Sequence, residues 1–169
     1  MLVKDIIKTA SQMRPGIDFD TELVERWVDE CDTSIQINVA LKTPKEIIKL
    51  RPEKWEKGKS YSKGERVGVI ISGEFNVFVA INDTDSNTTP QDDVDNWRQV
   101  PYETYVKHPH DKLYYLYVIA MMDFANHEYE KYANDTMVFN EALDDFAKYW
   151  QRKYRYSHKE GYDAYYTDD

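Results

Sequence analysis

The stretch "WEKGKSYSKGERVGVIISGEFNVFVAINDTDSNTTPQDDVDNWRQV", Trp55 to Val100, decides how the chain is divided. Gly58, Gly64, Gly68 and Gly73 are four of the six glycines in the protein, and with Pro90 they make this region dense in turn signals. Val67 to Ile71 and Phe75 to Ile81 are β-branched or aromatic runs, and Ser72-Gly73-Glu74 between them has the composition of a hairpin turn. A small antiparallel β unit is therefore predicted. The segments on either side carry the apolar spacing of helices instead, so the unit reads as an insert.

Upstream, Leu2, Val3, Ile6, Ile7 and Ala10 describe a short amphipathic helix that ends at Met13-Arg14-Pro15-Gly16. Asp20 is the predicted N-cap of a second helix, with Phe19 and Val24 placed as a hydrophobic staple. Leu23, Val24, Trp27, Val28, Cys31 and Ile35 mark its buried stripe. Past Ser34, the alternation of Ile35, Ile37 and Val39 leaves helix and strand both open. Thr43-Pro44-Lys45-Glu46 has the form of a helix start with a capping box, allowing one or two turns before Pro52.

Downstream, Leu113, Leu116, Tyr117, Ala120, Met121 and Phe124 form a helical stripe beginning just past Pro109, and Asn126-His127 offers a break. Phe139, Ala142, Leu143, Phe146 and Trp150 mark the clearest helix, with Lys148, Arg152, Lys153 and Arg155 near its expected C-terminus, where cations suit the helix dipole. SHKEGYDAYYTDD has no stripe and is expected to be mobile. The expected fold class is mainly α. A bundle of about four helices is built from residues 1–53 and 102–156, carries an inserted antiparallel β module over 54–101, and is followed by a flexible acidic tail, 157–169.

With 169 residues, 41% hydrophobic and 14% aromatic, the chain has the apolar mass for a packed core. Its formal charge of −9 argues against binding the outside of a nucleic-acid duplex, which calls for a cationic patch. No apolar run reaches the roughly 18 residues a membrane span needs, and Lys4 and Asp5 interrupt the N-terminal segment where a signal peptide would be apolar. A soluble protein made in the cytosol is expected. Cys31 is alone and lies in an apolar stripe, so it reads as a small buried hydrophobe.

Candidate chemistry is sparse. His108-Pro109-His110-Asp111 contains zinc-ligand types, but a loop before a helix explains them equally well. Asp83, Asp85 and Asn87 alternate as calcium ligands do without the glycine or closing glutamate of a calcium loop. Asp92-Asp93 and Asp144-Asp145 are adjacent carboxylates, which do not converge on one point as a general acid and base must. Phosphate loops and nucleophile elbows are absent from the sequence. No enzymatic activity, cofactor or metal is expected.

Pro109, Asp111, Leu113-Tyr114-Tyr115-Leu116, Asp123, Glu128-Tyr129-Glu130-Lys131-Tyr132-Ala133-Asn134-Asp135, Met137-Val138-Phe139-Asn140 and Phe146-Ala147-Lys148-Tyr149-Trp150 form a pattern that resembles the end of the head-tail connector proteins of long-tailed bacteriophages. These proteins are also called adaptor or head completion proteins. The N-terminal "DFDTELVERWVDECDTSIQINV" is similar to the first helices of that family. The resemblance implies a helical subunit of a ring, commonly a dodecamer, in the virion neck. Such a ring contacts further copies of itself, the portal protein, and a stopper or tail terminator protein, while DNA passes through its lumen without specific binding. It implies no membrane partner.

Within the insert, Trp55, Gly58, Tyr61, Gly64-Glu65-Arg66-Val67, Gly73, Phe75, Val79-Ala80, Pro90 and Trp97 resemble the small chitin-binding modules appended to chitinases and some phage proteins. Those modules carry an exposed aromatic pair after the last strand, where this chain has Ile81-Asn82. Flat aromatic faces in water are what stacks against a sugar ring, so the module is expected to be a reused fold without sugar binding. The alternative is a carbohydrate-binding accessory protein that uses Trp55, Tyr61, Phe75 and Trp97.

The chain has 14 tyrosines, more than one small bundle can bury, and Tyr is favoured at protein interfaces. Tyr114, Tyr115, Tyr129, Tyr132, Tyr154, Tyr156, Tyr162, Tyr165 and Tyr166 are the candidate subunit or portal contacts. Trp27 and Trp150 are expected in the core.

Overall fold

The computed structural model describes residues 1–85 and 87–162, with side chains through Tyr154 in the last helix. The elements in chain order are α1 (Val3–Met13), α2 (Thr21–Asn38), β1 (Arg66–Ile71), β2 (Glu74–Ala80), β3 (Trp97–Val100), α3 (Lys112–Ala125) and α4 (Tyr129–Tyr162). Four helices from the two outer segments make one body, and the three strands form an antiparallel sheet in the order β1-β2-β3. Helix covers just under half of the chain, so the fold is a helical body with a β insert more than a mainly α bundle.

α3 is the central helix and packs against α1, α2 and α4. That position explains why Leu113, Tyr114, Val118, Ile119, Ala120, Met122 and Asp123 are all buried, which no single stripe would require. The shared core runs through Ile6, Val28, Ile35, Leu113, Val118 and Phe146. Asp20 caps α2 by accepting a hydrogen bond from the Glu22 amide at 3.0 Å. Phe19 meets Trp27 edge to face, with ring centroids 5.4 Å apart. Past Ser34, α2 continues to Asn38 and no strand forms.

At the C-terminal end of α1, Arg14 reaches into the body. It donates to Asp123 of α3 through Nε at 2.9 Å and Nη2 at 2.7 Å, and Nη2 also pairs with Asp135 of α4. Burial opposes the charge on Asp123, but the bonds from Arg14 and with Asp135 outweigh it, so its carboxyl titrates below the ordinary range. Burial and the bond to Asp123 push Asp135 the other way.

The region after α2 departs from the capping-box expectation. Glu46 does accept from the Thr43 amide at 2.9 Å and the Thr43 hydroxyl at 2.7 Å, and its own amide donates to the Thr43 carbonyl. The bonds close one turn and no helix follows. Without a repeated apolar face to bury, a cap alone does not propagate a helix.

This non-helical segment is instead fastened to α2 by buried polar groups. Asp32, 1% exposed, accepts from the Tyr114 hydroxyl at 2.6 Å and the Tyr105 amide at 2.7 Å through Oδ1, and from Gln36 Nε2 at 2.8 Å through Oδ2. One helical turn further on, Gln36 donates to the Ile48 carbonyl and accepts from the Ile48 amide, both at 2.9 Å. One turn earlier, Asp29 accepts from the Arg51 amide at 3.1 Å. The chain thus leaves the body at Arg51 and rejoins it at Tyr105 within about one 5.4 Å turn of α2. That spacing suits an insertion, which needs its two ends close together.

In the insert, Ser72 and Gly73 both have positive φ, 53° and 83°, as a two-residue hairpin turn requires. One face of the sheet, with Val67, Phe78, Ala80 and Trp97, closes a small core over Tyr61. The other face turns toward the helical body. There the Phe75 ring lies over Gly68, where a Cβ would stand 2.1 Å from its Cζ, so only glycine admits the ring. Phe75 also meets the Tyr102 ring at 5.2 Å and the Arg51 guanidinium at 4.8 Å. Arg51 in turn pairs with Glu25 at 2.7 Å and Glu22 at 3.2 Å, coupling the module to α2.

Asp32→Asn tests this clamp. The new amide would face Gln36 Nε2, donor to donor, and Gln36 cannot flip without losing both bonds to Ile48. Denaturant unfolding is expected to show a loss of about 1–3 kcal/mol. Burial raises the Asp32 carboxyl above its ordinary range against the pull of its three hydrogen bonds. The folded chain therefore keeps this proton to higher pH than the unfolded chain, whose carboxyl titrates at about 3.9. Between those two values the stability contributed by Asp32 falls as pH rises, and that slope is expected to vanish in Asp32→Asn.

Candidate functional site

The expected contact tyrosines separate into different environments. Tyr114 is not a surface residue: it is 0% exposed and its hydroxyl donates to Asp32 while accepting from the Val106 amide at 2.9 Å. A tyrosine buries its ring when its polar tip finds a partner, and Asp32 supplies one. Burial and the neighbouring Asp32 hold its hydroxyl protonated far into the alkaline range. Tyr115 is half-buried against the core. Tyr129 is 57% exposed, and Tyr132 is half-buried. Tyr154 is exposed and stacks on Trp150 at 4.3 Å, while Trp150 is half-buried and meets Tyr105 at 5.7 Å. Tyr156 and Tyr162 lie on the backbone of α4, and Tyr165 and Tyr166 fall outside the described residues.

α4 is about 51 Å long and α3 about 21 Å, so α4 outruns its packing partner. Its helical backbone reaches Tyr162, past the expected end at 156, and the remainder of the expected tail, 163–169, lies outside the described residues. Arg152 and Lys153 therefore stand inside a longer helix and do not complement its C-terminus. Phe124, 48% exposed, lies in the last turn of α3 and forms an aromatic elbow with Tyr132 at 5.2 Å and Tyr129 at 6.1 Å. Further along α4, Met137 is 63% exposed and Val138 is 48% exposed.

At about 100° per residue, Tyr129 and Val138 lie about 180° apart on α4. They flank the buried face marked by Phe139, Ala142 and Phe146, and Met137 points away from it. This exposed apolar surface was partly signalled by the abundance of Tyr in the sequence. Phe124, Met137 and Val138 were not singled out as contacts, since a stripe with several apolar residues per turn does not show which of them α3 will cover.

The four aromatics of the sugar-binding alternative do not form a platform. Trp97 is 2% exposed and Tyr61 6% exposed, and they pack edge to face at 5.3 Å in the module core. The Tyr61 hydroxyl accepts from the Glu56 amide at 2.9 Å. Trp55 is half-buried against that core, and Phe75 lies on the opposite face of the sheet under Arg51 and Tyr102. A ring whose faces are covered cannot stack on a sugar, which applies to Tyr61 and Trp97, while Phe75 is engaged by Arg51 and Tyr102 and Trp55 keeps part of its surface exposed.

The remaining candidates also have packing roles. The His110 ring lies on Tyr149 at 4.7 Å and Phe146 at 5.5 Å, tying the loop to α4, while His108 is exposed. Asp83 accepts from the Lys63 amide at 2.7 Å and Asp85 from the Ser60 hydroxyl at 3.3 Å, so both brace the neighbouring loop. Asp93 accepts from Asn96 at 3.1 Å and Asp144 pairs with Lys148 at 2.5 Å. Cys31 is buried, and its surroundings push the thiol well above its ordinary range. Among the described residues no three metal-ligating groups cluster, and no helix is long and apolar enough to cross a membrane.

The chain matches no known protein family, no curated protein and no solved structure.

Trp97→Ala separates a structural role from a binding one. Loss of this buried ring is expected to cost the module about 3–5 kcal/mol. The near-ultraviolet dichroism of the module is expected to collapse before the helical signal at 222 nm. A variant that kept its fold but lost retention on chitin would instead assign the ring to sugar.

Proposed function

We propose that this chain is a structural subunit of a phage neck. In this reading, copies pack into a ring that joins the portal to the stopper or tail and lines the passage for DNA. The observation that carries the proposal is the exposed apolar surface on both flanks of α4, Tyr129 on one and Val138 on the other, on a body whose own core is already closed. Apolar side chains grouped on a surface mark contact sites. A closed ring needs two different surfaces on each subunit, because each copy meets one neighbour ahead and another behind. The resemblance of the two outer segments to head-tail connectors names the assembly in which such a ring would work.

The charge is consistent with that role. A formal charge of −9 gives a lumen little attraction for phosphate, so DNA would slide without being held. The β insert leaves and rejoins the body at one place on α2, and it would project from the ring as a separate knob without interrupting the helical contacts. The ring requires no catalysis, cofactor or membrane. Its partners are further copies of itself, the portal protein, and the stopper or tail terminator protein.

Val138→Glu and Tyr129→Asp test the reading. Each adds a charge at an exposed position, so the thermal midpoint of the isolated chain is expected to stay within a few degrees. Negative-stain images of the chain mixed with the cognate portal protein are expected to show an added ring for the native sequence. Each variant is expected to lose it. Rings of unchanged occupancy with both variants would contradict the proposal.

A further inference from the structure

The register of the sheet places Arg66 of β1, Val79 of β2 and Arg98 of β3 in one cross-strand row. Directly paired residues of an antiparallel sheet share a face, so both arginines stand on the side opposite the Trp97 core. All three residues line a cleft of about 420 Å³ between the module and the helical body, together with Asp32, Glu103, Tyr105 and Lys107. With strands about 4.8 Å apart, the two arginine backbones are roughly 10 Å from each other, close enough for their long side chains to converge on one group.

The acids of this cleft are already engaged. Asp32 has its oxygens filled by Tyr114, Tyr105 and Gln36, and Glu103 pairs with Lys107 at 2.7 Å. Arg66 is half-buried, and its hydrogen bond runs from Nη1 to the Lys49 carbonyl at 3.1 Å. Among the described residues, neither Arg66 nor Arg98 has a carboxylate within ion-pair distance. The contrast with Arg14 and Arg51 is plain, since each of those pairs with two acids in a chain with 31 acids for 22 basic side chains. Burial also lowers the tendency of Arg66 to hold its proton, with Asp32 pulling the other way. An arginine placed so, beside a second one and an open cleft, has among the described residues no anion of the kind its fork of donors is shaped to hold.

We propose that this cleft is an oxyanion site, in which the guanidinium groups of Arg66 and Arg98 together grip a phosphate or carboxylate. The anion comes either from a free small ion or from acidic side chains of another copy of this chain. The site does not depend on the neck reading, because it rests on the sheet register and the cleft alone.

Isothermal titration of the full chain with inorganic phosphate, and separately with a synthetic peptide of residues 163–169, distinguishes the sources. Saturable binding is expected for at least one of the two probes. Phosphate binding identifies a free oxyanion, and binding of the peptide alone identifies acidic side chains. Arg98→Gln is expected to weaken that binding about tenfold. Arg98 is exposed on an edge strand, so its loss is expected to leave the melting curve unchanged. Arg66→Gln is expected to act similarly, and Arg66→Lys to retain part of the affinity because it keeps the charge but loses the fork. No saturable binding of either probe would overturn the proposal, as would binding that Arg98→Gln leaves intact.

Discussion

The Asp32 carboxylate holds this architecture in register. It is nearly inaccessible to water, yet its two oxygens meet three donors from three parts of the chain: a hydroxyl on α3, the amide of Tyr105 and the side chain of Gln36. Taking a carboxylate out of water is costly unless its lone pairs are filled. Here they are filled by one group a single turn away on α2 and two that come from 73 and 82 residues further along the chain. Gln36 extends the same arrangement to Ile48, and Asp29 extends it to Arg51. α2 thereby acts as a spine that fixes α3 on one side and both ends of the insert on the other.

The orientation of the insert follows from that anchoring. Arg51 touches both partners, since it pairs with Glu22 and Glu25 of α2 while lying over Phe75 of β2. Gly68 completes the contact by letting the Phe75 ring rest on β1. The sheet then has two faces with different tasks. One encloses Tyr61 and Trp97, and the other looks across clefts at the helices, where Arg66 and Arg98 stand in a row. An insertion held this way can be elaborated without disturbing the helical packing, and the proposed ring contacts on α4 are on elements that do not include it.

Much of this was legible in the residues themselves. The cap at Asp20, the stripe from Val24 to Ile35, the turn at Ser72-Gly73 and the break near Asn126 are local signals, and local signals set local structure. Tyr114 was less tractable, because a tyrosine in an apolar stripe can face a neighbour or face Asp32, 82 residues away, with the same spacing. Arg14 finds Asp123 across 109 residues and Asp135 across 121, pairings that no periodicity encodes. Trp55, Tyr61 and Trp97 carried the spacing of a sugar-binding module, but spacing does not say which face of a ring is covered. The row of Arg66 and Arg98 became visible only with the strand register.

The central claim is that residues 1–53 and 102–162 close on each other as one helical body that carries the β module. Replacing residues 54–101 with a short glycine-serine linker, and following urea unfolding by circular dichroism at 222 nm, tests it most directly. The account predicts a helical spectrum and a single cooperative transition, at a lower midpoint because the face toward the module is now exposed. A chain that lost its helical signal, or melted without cooperativity, would contradict it.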